Sequence, residues 1–122
     1  MAKKILIVDD EPNITKLLES RLRANGYEVV TACDGQEGLD KTQKEKPDLI
    51  ILDVMLPKLN GYEVCRMLRS DKQYNPIPIV MLTACGQVTD IQKGMGKGAD
   101  AYIAKPFQPN VLLGIITGLV GK

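Results

Sequence analysis

A chain of 122 residues, 44% apolar and 25% charged, has the length and profile of one water-soluble domain spanning residues 1–122. Its net charge of +1 gives no electrostatic reason to expect nucleic acid or a membrane surface as partner, and no run approaches the ~18 apolar residues of a membrane span. Histidine is absent, which removes Ser-His and Cys-His catalysis and histidine-ligated zinc. The three cysteines (Cys33, Cys65, Cys85) lack metal-binding spacing, and with no secretory signal they suit reduced thiols and a cytoplasmic location.

The first predicted strand is the apolar run 5–8, which stops at Asp9-Asp10. Pro12 suits the first turn of a helix whose Ile14, Leu17, Leu18 and Leu22 share a face, and Gly26 supplies a left-handed stop. Residues 28–32 read as a second strand and 35–46 as a helix ending before Pro47. The run 49–52 is the third strand and stops at Asp53. A loop with Pro57 and Gly61 follows, then a helix burying Val64, Cys65 and Leu68. The turn 75–78 leads into the strand 79–82, which stops at Thr83. Residues 87–98 have helical spacing in Val88, Ile91 and Met95, but interior glycines cost about 0.8–1 kcal/mol each relative to alanine. With Gly94, Gly96 and Gly98, this is expected to be the least stable helix. The run 101–104 stops at Lys105-Pro106, and Pro109 opens a last helix reaching about Val120.

Strand and helix thus alternate five times. That order predicts a doubly wound α/β fold: a five-stranded parallel sheet in the order 2-1-3-4-5, with five helices on its two faces. Unbroken apolar runs suit strands buried on both faces. Ligands of such sheets bind beyond the carboxyl ends of the strands, at the switch point between strands one and three, where Asp9, Asp10 and Asp53 fall.

Three crowded carboxylates raise one another's pKa unless a cation neutralises them. Mg²⁺ (or Mn²⁺), hard and content with carboxylates, water and phosphate, is the natural ligand. Asp53 stands alone at its strand end and is the candidate nucleophile for an acyl phosphate. Lys105 offers an ammonium and Thr83 a hydroxyl to phosphoryl oxygens. Singly, each residue has a plainer reading: Asp9 and Asp10 as helix caps, Asp53 as a solvated loop residue, Thr83 as a cap, Lys105 as a surface lysine. Those plainer readings do not predict agreement among four separate strand ends.

The stretches ILIVDDEP, PDLIILDVMLPKLNGYE, PIPIVMLTA and GADAYIAKPF, in that order from about Lys4 to Val120, closely resemble the receiver domain of two-component response regulators. The resemblance implies a flavodoxin-like receiver fold and a signalling domain rather than an enzyme, one that assists its own phosphorylation and dephosphorylation. It implies that Asp53 accepts a phosphoryl group from the phosphohistidine of a histidine kinase or phosphotransfer protein. Asp10, Asp53 and the backbone carbonyl of Met55 would hold Mg²⁺, with Asp9 assisting directly or through water. Thr83 and Lys105 would contact the phosphoryl group, and the Lys105-Pro106 bond would be cis. It also implies a switch: Thr83 moves toward the phosphoryl group, Tyr102 turns into the vacated space, and the surface of the fourth helix, fifth strand and fifth helix changes.

Two modulating positions depart from the family pattern. Met55 and Cys85 stand where related receivers often carry polar residues that orient water, so slow to moderate self-dephosphorylation is expected. The last helix is also unusual, with Val111, Ile115 and Leu119 as an expected apolar outer stripe and with Gly114 and Gly118. This suggests close packing against a partner or a second copy. It lacks the basic residue of the charged dimer interface found in receivers fused to winged-helix DNA-binding domains. The chain is expected to be either a stand-alone receiver or one cut from a longer protein.

Other classes remain open. An aspartate-nucleophile phosphatase needs a second acid two residues after the nucleophile, where Met55 stands. A flavodoxin-like cofactor binder needs a Ser/Thr/Gly-rich phosphate loop where Asp9-Asp10-Glu11 stand. A non-phosphorylated pseudo-receiver, acting only as a protein-interaction module, would have no need for all five site residues.

Overall fold

In the computed structural model, which describes residues 2–84 and 98–121, five strands lie parallel in one sheet. They are β1 (Lys4–Val8), β2 (Glu28–Ala32), β3 (Leu49–Asp53), β4 (Ile79–Ala84) and β5 (Ala101–Lys105), ordered β2-β1-β3-β4-β5. The helices among the described residues are α1 (Pro12–Ala24), α2 (Gly35–Glu45), α3 (Gly61–Arg69) and α4 (Pro109–Val120). Four helices are therefore seen where five were expected, and the glycine-rich one lies outside the described residues apart from Gly98, which forms a bend.

The two-residue period of the strands sorts the core into two layers. Ile5, Ile7, Leu49, Ile51, Val80 and Leu82 pack against Leu18 and Leu22 of α1 and Leu112 and Ile116 of α4. Leu6, Val8, Ile50, Leu52, Ile79 and Met81 face the other way, against Leu39 of α2 and Val64, Cys65 and Leu68 of α3. Burial on both faces is why β1, β3 and β4 read as unbroken apolar runs. The chain thus leaves β1 for one face and β3 for the other, which opens a crevice beyond their carboxyl ends.

Local chemistry sets the helix ends. Pro12 occupies the first turn of α1, and Gly26 takes φ 90 after it. Asp34 caps α2 by accepting from the Glu37 amide, and Lys46 closes it in the left-handed region. Asn60 and Glu63 form a capping box that starts α3. One expectation fails on α1. Leu18 and Leu22 are buried, but Leu17 is 40% exposed, because one residue turns the helix by ~100°. Leu17 therefore sits beside the apolar row rather than in it.

The loop between β3 and α3 is held from both sides. A Cβ at Gly61 would collide with the Asp53 carbonyl oxygen, and one at Gly35 with the Leu59 carbonyl oxygen. The Gly61 amide donates to the Val54 carbonyl at 2.9 Å and the Gly35 amide to the Pro57 carbonyl at 3.4 Å. Glycine at these two places lets α3 begin directly against the strand end and lets α2 support the loop.

At the opposite end of the sheet, Arg69 ties α3 to the starts of β4 and β5. Its guanidinium donates to the carbonyls of Gly98, Asn75 and Ile77 and to Asp100 Oδ2, the last at 2.7 Å. The same Asp100 oxygen accepts from the Ile79 amide at 2.8 Å. On α4, Leu112 and Ile116 face the core, while Val111 is 53% exposed. Leu119 is also exposed, whereas Ile115 is half-buried at the core margin, so the expected outer stripe is interrupted at its middle. Gly114 and Gly118 are exposed, and a Cβ added at either would meet nothing within 4 Å among the described residues. No helix among the described residues is long and apolar enough to cross a membrane.

Candidate functional site

Register places the site residues at one rim. β1 ends at Val8, opposite Leu52, so Asp9 follows directly beside Asp53. Asp53 pairs with Leu82 in β4, which puts Thr83 one step beyond, and Ala84 pairs with Lys105 in β5. Carboxylate oxygens of Asp9, Asp10 and Asp53 all lie within 4.8 Å of one another. Asp9 and Asp53 are buried and Asp10 is exposed.

Lys105 reaches into this cluster. Its Nζ donates to Asp9 Oδ2 at 3.2 Å, to Asp53 Oδ2 at 3.1 Å and to Glu11 Oε1 at 2.9 Å. Backbone amides take the other oxygens: Glu11 N donates to Asp9 Oδ1 at 2.9 Å and Met55 N to Asp53 Oδ1 at 3.2 Å. The Met55 side chain points outward, 65% exposed. The Lys105-Pro106 peptide is cis. Cys85 lies outside the described residues, and Tyr102 is half-buried beside Gly98 and Ala99, against the α2–α3 layer.

Burial pushes the Asp9 carboxyl above its ordinary value, and the charge of Asp53 adds to the effect. The Glu11 amide and Lys105 offset part of it. Burial works against the Lys105 ammonium as well. Hydrogen bonds to Glu11 and Asp53, with the charges of Asp53 and Asp9, outweigh that and hold it above the usual lysine range. One ammonium thus faces three carboxylates at contact distance, with Asp10 adjacent. The surplus of negative charge and the hard oxygen donors fit a divalent cation.

Thr83 completes the rim. It is fully buried, and its Oγ1 has no hydrogen-bond partner among the described residues. An unsatisfied buried hydroxyl costs about 1–3 kcal/mol, so a donor kept in that state suits an acceptor that arrives from outside, such as a phosphoryl oxygen.

A second cluster, Cys33, Asp34 and Glu37, proves to be helix-end chemistry. Cys33 Sγ and its amide both donate to Glu37 Oε1, and Asp34 accepts the Glu37 amide as the cap of α2. Glu11 is the site residue that the sequence did not single out. Its place before Pro12 read as a helix start, and nothing local signals a pairing with a lysine 94 residues away.

The comparisons agree with this geometry. The family profile of the response regulator receiver domain matches residues 5–117. The alkaline phosphatase synthesis transcriptional regulatory protein PhoP of Bacillus subtilis is 55% identical over 109 residues, 89% of this chain and 45% of PhoP. The chain spans about half the length of the curated relatives it matches. Chemotaxis response regulator CheY4 of Vibrio cholerae superposes with a TM-score of 0.89 at 39% identity, covering 98% of this chain and 99% of that one. The receiver domain of sensor histidine kinase PA1611 from Pseudomonas aeruginosa, solved with a magnesium ion in its active site cleft, gives 0.88 at 29% identity with both chains fully covered. With its rim of aspartates, threonine and lysine on a 2-1-3-4-5 sheet, the chain belongs to the response regulator receiver domains.

Proposed function

We propose that residues 1–122 form one cytoplasmic receiver domain in which Asp53 is the phosphoacceptor. The donor is the phosphohistidine of a histidine kinase or phosphotransfer protein, since these 122 residues contain no histidine of their own. An Asp53 carboxylate oxygen attacks phosphorus and the phosphorus–nitrogen bond breaks. The imidazole leaves with the electron pair and takes up a proton from water. The observation that carries this reading is the Lys105 ammonium within 3.2 Å of both Asp9 and Asp53.

Asp9, Asp10, Asp53 and the Met55 carbonyl would hold Mg²⁺ or Mn²⁺, whose charge offsets that of the phosphoryl oxygens. Lys105 supplies the second positive charge. The buried Thr83 hydroxyl turns toward the phosphoryl group and Tyr102 follows into the space it leaves, which alters the surface of β5 and α4. Met55, exposed and without a group to orient water, makes for slow to moderate self-dephosphorylation. The exposed Val111, with Ile115, Gly114 and Gly118 beside it, is the surface for a partner or second copy. Val111→Lys with Ile115→Glu should abolish phosphorylation-dependent association in sedimentation, and an unchanged profile refutes that contact.

The test of the whole reading is incubation with a small phosphodonor and Mg²⁺, followed by intact mass. A single phosphate adduct is expected, and it should be absent in Asp53→Ala. An adduct that survives the substitution overturns the assignment.

A further inference from the structure

Every carboxylate oxygen of Asp9 and Asp53 already accepts a hydrogen bond in the resting arrangement. On each, Oδ1 accepts a backbone amide and Oδ2 accepts Lys105 Nζ. A divalent cation arriving at these carboxylates meets an ammonium already on them, and the two positive charges repel. Lys105 therefore needs somewhere to go.

We propose that Glu11 is a positioning residue that takes up the Lys105 ammonium at the outer rim, so that Asp9, Asp10 and Asp53 remain open to a divalent cation. The proposal rests on the divalent-cation reading given above. Three observations support it. Glu11 makes the shortest of the three Lys105 contacts, at 2.9 Å. Its side chain is 58% exposed, so the pair tightens or loosens at little cost. Finally, Glu11 is the N-cap of α1 yet makes no side-chain cap hydrogen bond. A shorter Asp, Asn or Ser would cap that helix. Glutamate gives up the cap and reaches across to β5 instead.

The test is calorimetric titration of metal-free protein with Mg²⁺. Glu11→Gln keeps the backbone amide that holds Asp9, and Glu11→Asp keeps the charge but falls a methylene short of Lys105. Both substitutions should weaken Mg²⁺ binding about fivefold, whereas adding Glu11→Gln to Lys105→Gln should change it by less than about 1.5-fold, since coupled residues lose their effect once the partner is gone. Equal weakening in both backgrounds would mean that Glu11 merely attracts the cation, and overturns the proposal. So does Glu11→Asp binding as tightly as the unsubstituted chain, or Glu11→Gln doing the same. Failure of the unsubstituted chain to bind Mg²⁺ removes the divalent-cation reading and this proposal together, a result distinct from the other three.

Discussion

The two ends of the sheet each gather polar groups around one half-buried cation, and the contrast between them separates a staple from a site. At the amino ends, Arg69 meets three carbonyls and a single carboxylate, Asp100. Charge there is balanced and each of the three guanidinium nitrogens has a fixed acceptor. At the carboxyl ends, Lys105 meets three carboxylates with a fourth, Asp10, alongside, and the Thr83 hydroxyl beside them has no partner among the described residues. The first cluster needs nothing from outside. The second has surplus negative charge and a spare donor, an arrangement that costs stability unless a ligand completes it.

The largest expected effect tests the chemical side of that contrast. Lys105→Ala should slow phosphorylation by a small phosphodonor about a hundredfold, the scale for losing one preorganised charge partner, while Arg69→Met leaves the rate within about threefold. Comparable losses in both would erase the distinction. Stability should respond the other way. Arg69→Met leaves Asp100 and the carbonyls of Asn75 and Ile77 short of a donor, and allowing for partial exposure it should cost about 2 kcal/mol in urea unfolding. Asp9→Asn, which relieves repulsion in the metal-free protein, should cost nothing or stabilise.

Mg²⁺ should raise stability by about 1.4 kcal/mol at ten times its dissociation constant, in the Arg69→Met variant as much as in the parent. Loss of that shift in Asp10→Asn would place the ion at the carboxylate rim, and its persistence would place it elsewhere. The smallest effect concerns tuning. Met55→Asn combined with Cys85→Glu should shorten the life of the phosphorylated form several-fold by orienting water, on the scale of partial general-base assistance. An unchanged decay rate rejects that role.

Strands and their ends were legible because burial on both faces leaves only apolar residues until the chain reaches the rim. Thus the runs 5–8 and 49–52 were readable as strands that end at Asp9 and Asp53. The gathering of the candidate residues at one rim was legible for the same reason, since a parallel sheet brings successive strand ends together. Leu17 misled because an adjacent apolar pair on a helix cannot show which member faces the core. Arg69 was invisible because most of its partners are backbone carbonyls, which carry no sequence signal. Glu11 escaped notice because its partner comes from the far side of the chain.

Gly35 and Gly61 fix more than a close approach. The stretch between Asp53 and Asn60 is clasped at both ends, by α2 through Pro57 and Leu59 and by the first turn of α3 through Val54. Its span is therefore set by its neighbours, and adding or removing one residue would pull β3 off its hinge with α3. In this chain the exposed Met55 and Lys58 side chains are therefore open to substitution, whereas the length of the stretch that carries them is not.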